Sequence, residues 1–258
     1  MTNATNTLQP GAKLGSAAAA LATLLALGCQ PAALHAAKTP RAPTNAAAAS
    51  AGPSDDASVA LLREVEARHG TLQSVTGAFR QTRRDDAANQ SVKMDARFAL
   101  QKPNQFRADY TRAGDTAAAE TVLISGRESY QYVRELKQTN RYTFREGANV
   151  RDLNYLILGF GARADDVLNV YTARAAKAPA GRRAVMLVPK DKADSGFESI
   201  KMTLDAATLL PVQFTMVQAG QMTTTLDLNP AQLRMGAAPP ADLFNPRKLP
   251  KAEEVKLN

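Results

Sequence analysis

The sequence predicts a mostly β protein of the α+β class, in which one antiparallel sheet curls into a barrel or part of one and helices cover its apolar face. Three observations carry this prediction. Apolar and polar residues alternate in many short segments between residues 77 and 228, which indicates half-buried strands. Turn residues separate these segments at regular spacing, as in an antiparallel meander. Two helix-like segments interrupt the series near its middle.

Residues 1–36 have the features of a signal peptide. An apolar run from Leu14 to Leu27 is too short to span a bilayer, but it fits the apolar centre of an export signal. Two processing routes stay open: acylation of Cys29, the only cysteine, or cleavage after Ala36, which would discard Cys29. We therefore expect an exported, periplasmic protein that either diffuses freely or is anchored by a lipid on Cys29.

Residues 37–58 form a predicted disordered linker, because this Ala/Pro-rich segment has too little apolar content to offset its ordering entropy. Charged and aromatic residues become frequent only beyond it, so we expect one folded domain over residues 59–258.

The first predicted element of the folded part is a helix. Ser54, Asp55 and Asp56 offer an N-cap and favourable charge for its first turn. Its apolar residues, Leu61, Leu62 and Val65, recur at helical spacing and should lay one stripe on the sheet.

The strands follow in chain order. Met94, Phe98 and Leu100 share one side of an alternating segment, and Phe106 and Tyr110 continue that side after a break at Lys102-Pro103-Asn104. The later segments are expected to add the apolar-side residues Tyr130, Tyr132, Ile200, Met202, Leu204, Val212, Phe214, Met216, Met222, Leu226 and Leu228. The many methionines of this side suit either a plain core or an adaptable cavity.

Two short helices are predicted between the two halves of the sheet, from Val150 to Gly161 and from Ala164 to Lys177. They are expected to lie over the apolar face of the sheet. Composition alone leaves open whether they complete an ordinary core or form a movable lid.

Catalysis finds little support in the sequence. The only histidines are His35, in the leader, and His69, at the end of the first helix, so Ser-His-Asp and Cys-His arrangements lack their base. The acidic pairs have no histidine partners, and we see no calcium-loop or phosphate-loop motif. We therefore expect no enzyme, no catalytic residues, no metal and no cofactor.

The net charge of +8 favours anionic lipid surfaces or acidic proteins as partners. Arg80, Arg83 and Arg84 cluster on one early strand, although solvated surface charge explains them equally well. Nucleic acid is not an expected partner, because the basic residues are not interleaved with exposed aromatic residues.

Several segments together resemble one protein family. In order, they include "LQSVTGAFRQT", "ARFALQKPNQFRADY", "LISGRESYQYV", "IKMTLDAATLLPVQFTM" and "PPADLFNP". Their order and spacing are similar to those of the LolA family of outer-membrane lipoprotein carriers, over nearly the whole chain from residue 59 onward. The resemblance implies an unclosed antiparallel β-barrel, covered by helices, around an apolar cavity for acyl chains.

The resemblance also assigns roles to residues. The expected cavity residues are Phe79, Met94, Phe98, Leu100, Phe106, Tyr130, Tyr132, Met202, Phe214, Met216 and Met222. Lys102 stands where the family's Arg-Pro-Asn-x-Phe turn has its arginine, which implies a latch that hydrogen-bonds the helical lid, though without the rigid guanidinium fork. Phe106 is expected near the cavity mouth. The family's Gly-Val ending after Phe-x-Pro is absent, which leaves the pairing of a C-terminal strand open.

The function implied is that of a monomeric carrier. It would shelter the acyl chains of lipoproteins, its partners, and pass them from an inner-membrane release complex to an outer-membrane acceptor. Two alternatives stay open: a membrane-anchored lipoprotein acceptor, and a lipid-sensing binding domain that regulates a partner.

Overall fold

The computed structural model of the protein describes residues 54–144, 156–191, 196–218 and 222–257. The predictions for the signal peptide, for Cys29, for most of the linker and for residues 150–155 lie outside these ranges.

The described residues form three α-helices and thirteen strands. The helices are α1 (Asp56–His69), α2 (Leu156–Gly159) and α3 (Ala164–Val170). The strands are β1 (Ser74–Asp85), β2 (Gln90–Gln101), β3 (Gln105–Thr111), β4 (Glu120–Ser125), β5 (Glu128–Val133), β6 (Gln138–Thr143), β7 (Tyr171–Ala175), β8 (Arg182–Pro189), β9 (Ser199–Asp205), β10 (Pro211–Gln218), β11 (Met222–Leu228), β12 (Arg234–Met235) and β13 (Glu253–Leu257). Short 3-10 turns cover Pro230–Gln232, Ala241–Phe244 and Pro246–Lys248.

All thirteen strands belong to one curled sheet. Its spatial order is β13-β6-β5-β4-β3-β2-β1-β11-β10-β9-β8-β7, and β12 pairs with β1. Every pairing is antiparallel except that of β13 with β6. Strands β7 and β13 are the two outer strands of this path, so the sheet does not close on itself. The predicted fold class is confirmed.

Helix α1 begins as the sequence predicts. The carboxylate of Asp55 accepts a hydrogen bond from the Ser58 backbone N–H at 2.7 Å, and this contact lowers the pKa of Asp55. The same carboxylate accepts from the backbone N–H of Ala175 at 2.5 Å, which joins the start of α1 to β7. Leu61, Leu62 and Val65 are buried.

The second predicted lid helix is partly wrong. Helix α3 ends at Val170, and Tyr171–Ala175 is a strand that pairs with β8. Tyr171 and Ala173 are buried in the core, so pairing and burial outweigh the helical tendency of the alanine-rich segment.

The C-terminal strand is present, which answers the question that the sequence left open. Glu253–Leu257 lies parallel to β6, with Val255 opposite Asn140. Glu253, Glu254 and Lys256 make β13 a charged outer strand, which protects a sheet edge from pairing with other chains.

Candidate functional site

The apolar face of the sheet is concave, and most of the predicted cavity residues lie on it. The strand register places apolar residues of neighbouring strands side by side on this face. For example, Phe79 of β1 lies opposite Ala96 of β2, which lies opposite Tyr110 of β3. The predicted residues Phe79, Met94, Phe98, Leu100, Phe106, Met202, Phe214 and Met216 are all buried in this one cluster. Met222 is half-buried on the same face. Phe106 is 6% exposed, so it belongs to the core here and not to an exposed mouth.

Tyr130 and Tyr132 lie on the opposite, convex face, so their predicted orientation is wrong. Register sets Tyr130 opposite Leu123, and the two pack with Phe244 in a separate cluster. The next position inward on the concave face is held by Gln131. The segment is a strand, as predicted, but its tyrosines face the opposite side of the sheet. The C-terminal segment supplies an apolar partner, Phe244, on that convex side.

Helices α1, α2 and α3, with Phe160, cover the concave face. We call residues 156–170 the lid. The Phe160 side chain is fully buried, and its ring centroid lies 6.3 Å from that of Phe98. Leu156 and Leu158 are buried in the same cluster. The described structure is therefore a closed arrangement, in which the protein's own side chains occupy the apolar face.

Lys102 connects the lid to α1. Its Nζ donates to the carbonyl of Gly161 at 3.1 Å and to that of Gly70, just after α1, at 3.4 Å. Burial lowers the pKa of Lys102. This is the geometry expected of a latch, with one ammonium spanning two carbonyls; its action as a latch stays a prediction.

The lid meets α1 at a very close approach. Gly161 has φ of +79°, and a Cβ atom there would lie 2.2 Å from the His69 carbonyl carbon. Beside it, the Glu66 carboxylate accepts from the backbone N–H of Ala164 at 2.8 Å and so caps α3. His69 ends α1, as predicted, with its Nε2 3.0 Å from the Thr208 carbonyl oxygen.

Polar groups lie at one end of the concave face, and sequence analysis missed them as a site. Arg83, on β1, shares the concave side with Phe79, whereas Arg80 and Arg84 point to the convex side. Glu120, on β4, is 8% exposed and accepts from the Gln131 side chain at 2.7 Å. Burial raises the pKa of Glu120 to about 7, although Gln131, Arg83 and Arg112 oppose the shift.

Glu120 should make stability fall between pH 4.5 and about 7. The raised pKa means that the folded protein holds the proton more tightly than the unfolded chain, so the contribution is present below pH 4.5 and lost as pH rises through about 7. The loss is on the order of 3 kcal/mol. We expect urea unfolding of the Glu120→Gln variant to lack this fall. A wild-type pH dependence that persists unchanged in the variant would contradict the assignment.

Replacing Lys102 by Met should loosen the lid. The variant keeps the apolar stem but leaves the Gly70 and Gly161 carbonyls without their donor, at a cost of about 1 to 2 kcal/mol. We expect faster hydrogen exchange over residues 156–170, with β8 to β10 unchanged, and recovery in Lys102→Arg. Uniformly faster exchange throughout the sheet would show that Lys102 supports the whole fold and not the lid.

Two open grooves of about 720 and 650 Å³ lie on the convex face. Both include Arg97, Arg107 and Asp109, and Arg107 is bound to Asp109 at 3.0 Å and to the Leu243 carbonyl at 3.2 Å. Arg107 therefore helps to hold the C-terminal segment on the convex face of the sheet.

Within the described ranges, no three His, Cys, Asp or Glu side chains are grouped so that they could bind a metal. Over the same ranges, no helix is both long and apolar enough to cross a membrane.

A curled, unclosed sheet whose apolar concave face is covered by helices defines a class of binding protein with an internal apolar surface. Within that class, the chain belongs to the LolA family: the model for the outer membrane lipoprotein carrier protein LolA matches residues 70–247. Proteins of this family are binding and carrier proteins, not enzymes, and they are typically periplasmic.

The chain is similar to several solved structures. One is a putative outer membrane lipoprotein-sorting protein domain from Vibrio parahaemolyticus, with 13% identity, a TM-score of 0.44, and coverage of 74% of this chain and 97% of that one. Another is a LolA superfamily protein from Nitrosomonas europaea, with 9% identity, a TM-score of 0.41, and coverage of 74% and 99%. A third is the MucA/MucB complex of Pseudomonas aeruginosa, with 16% identity, a TM-score of 0.38, and coverage of 72% and 60%. No curated protein sequence matches the chain at a significant level.

Proposed function

We propose that the protein carries lipoproteins across the cell envelope to the outer membrane, with their acyl chains on the concave face. The observation that carries this proposal is a continuous buried apolar face whose lid is joined to α1 by the close approach of Gly161, the Lys102 ammonium and the Glu66 carboxylate. Family membership supports it, since the matching family is that of lipoprotein carriers.

The energetics suit a carrier. Each buried methylene of an acyl chain contributes about 0.8 kcal/mol, but the chain must first displace the apolar side chains of the lid from the same face. The cost of lid opening offsets part of this gain. The net affinity is then modest, and cargo can pass to an acceptor with a more accessible apolar site.

The proposal requires partners that the protein meets in turn: acylated lipoproteins, an inner-membrane release complex and an outer-membrane acceptor. It also requires a periplasmic protein, which we expect to act as a monomer. A lipid anchor on Cys29 would restrict diffusion and favour the role of an anchored acceptor.

The test is binding of a synthetic diacylated lipopeptide by the purified mature protein. Displacement of an environment-sensitive apolar dye would report binding, and the same peptide without acyl chains is the control. We expect displacement by the acylated peptide alone. Equal behaviour of the two peptides, or no displacement by either, would contradict the proposal.

Intact mass spectrometry of the protein from membrane and soluble envelope fractions separates the carrier from the anchored acceptor. A mass without acyl groups in the soluble fraction, with lipoprotein extractable from it, supports the carrier. A diacyl or triacyl mass on Cys29 would instead favour the acceptor.

A further inference from the structure

The concave face changes from apolar to polar towards the end where the β1–β2 and β10–β11 hairpins lie. Towards this end, five polar residues of the concave face are at least nine-tenths buried: Gln81, Glu120, Gln131, Gln218 and Thr224. Together with Arg83 we call them the polar belt. Strand register connects it directly to the apolar cluster, because Gln81 stands opposite both Met94 and Leu226.

Arg83 is the cation of the polar belt, and it has unused hydrogen-bonding capacity. Its Nε is buried and has no hydrogen-bond partner among the described residues. Glu120 is near enough to interact with it electrostatically, yet the two form no ion pair within 4.0 Å. A buried guanidinium N–H without an acceptor is costly, which points to an acceptor that binds there.

Solvent reaches the concave face beside Arg83. Register places Val92 and Thr224 on either side of Arg83, and Val92 is 49% exposed. Met222, two residues from Thr224 on the same face, is half-buried. Arg83 therefore lies where the buried apolar face meets water, which is where the head group of an amphiphile lies when its chain is buried.

We propose that the polar belt binds an anionic head group, a carboxylate or a phosphate, of an amphiphile whose acyl chain lies on the apolar concave face. Arg83 donates charge-assisted hydrogen bonds to the anion, and the neutral amides of Gln81 and Gln131 complete a polar surround. This inference rests on the proposed function only in placing an acyl chain on the concave face. It adds a free fatty acid or an anionic lipid to the ligands of the protein.

Glu120 is the one group of the belt that opposes an anion. The charged or polar groups that act on it are Gln131 from β5, Arg83 from β1 and Arg112 from the loop after β3. Since burial favours its protonated form, anion binding should tighten as pH falls from 8 to 6.

The experiment compares four twelve-carbon probes below their micelle concentrations, by displacement of an apolar dye at pH 6 and pH 8. Laurate carries a carboxylate, lauroyl lysophosphatidylglycerol a phosphate diester, dodecanol no charge, and dodecyltrimethylammonium a positive charge. We expect at least one anion to bind about tenfold or more tightly than dodecanol. The better anion identifies the source as a free fatty acid or a phospholipid.

Variants test whether the polar belt causes the preference for anionic probes. Arg83→Met should bring the anions to the affinity of dodecanol, and Arg83→Lys should restore part of the preference. Arg84→Met is the matched control, because Arg84 is the next residue, points to the convex side and pairs with Asp86 at 2.5 Å. In Glu120→Gln the phosphate diester, which stays ionised, should lose its dependence on pH.

The outcomes separate this inference from the proposed function. Equal binding of anions and dodecanol by the wild type would overturn the head-group site and leave the acyl site standing. An anion preference that survives in Arg83→Met would overturn it as well. Failure of all four probes to bind would overturn both proposals.

Discussion

A Gly161→Ala variant is expected to lose about 2 to 4 kcal/mol of unfolding free energy and to release its lid. Gly161 has φ of +79°, where an alanine is strained, and the new Cβ would lie 2.3 Å from the His69 carbonyl oxygen. Both contacting atoms are backbone, so neither can move aside as a flexible side chain would. The lid turn must shift away from α1, and the Gly161 carbonyl then leaves the Lys102 ammonium.

The measurement is urea denaturation of wild type and variant, with hydrogen exchange to localise the change. Gly126→Ala is the matched control, because Gly126 also has a positive φ, of +62°, but nothing lies within 4 Å of its hypothetical Cβ. It should lose only the backbone strain, about 1 kcal/mol. Equal losses in the two variants would show that the close approach to His69 contributes nothing.

Much of the fold followed from alternation alone. Strands β2 and β3 and their shared apolar side are as predicted, because all their convex positions except Ala99 are polar and the period of two is clear. Strand β4 shows the limit of this signal. Its residues Thr121, Val122, Leu123 and Ile124 are all buried, so the segment carries no alternation from which to assign faces.

That limit explains why Tyr130 and Tyr132 were placed on the wrong side. Strand β5 pairs with β4, so the faces of its side chains depend on those of β4. It is buried on both faces, because Phe244 in the C-terminal segment covers Tyr130. A contact between residues more than a hundred positions apart leaves no trace in a local pattern.

The polar belt was partly readable from the sequence. Phe79, Gln81 and Arg83 are spaced two residues apart on β1, so their side chains point to the same face of the sheet. Alternation alone therefore places Arg83 on the apolar side. It was instead grouped with Arg80 and Arg84 as surface charge. Glu120 could not be found in this way, because it opens the uninformative strand β4. Lys102 was found only through the family resemblance.

Phe160 offers the sharpest distinction between a lid and an ordinary core. In an ordinary core, Phe160→Ala would only destabilise, by about 3 to 5 kcal/mol. If residues 156–170 compete with ligand for the concave face, the same substitution also lowers the cost of opening, and apparent affinity rises with the population of the open form. We therefore expect the variant to bind an apolar dye or a diacylated lipopeptide about tenfold or more tightly than wild type, despite its lower stability.

Phe244→Ala is the matched control for Phe160→Ala. Phe244 is 2% exposed, and its side chain packs on the convex face against Leu123 and Tyr130. Its loss should destabilise to a similar degree without uncovering the concave face, so ligand affinity should stay at the wild-type value. Tighter binding in both variants would mean that general loosening, and not removal of the lid's anchor, exposes the apolar surface. Tighter binding in Phe160→Ala alone requires that the lid and the ligand occupy the same face, which is the central condition of a carrier that opens to load.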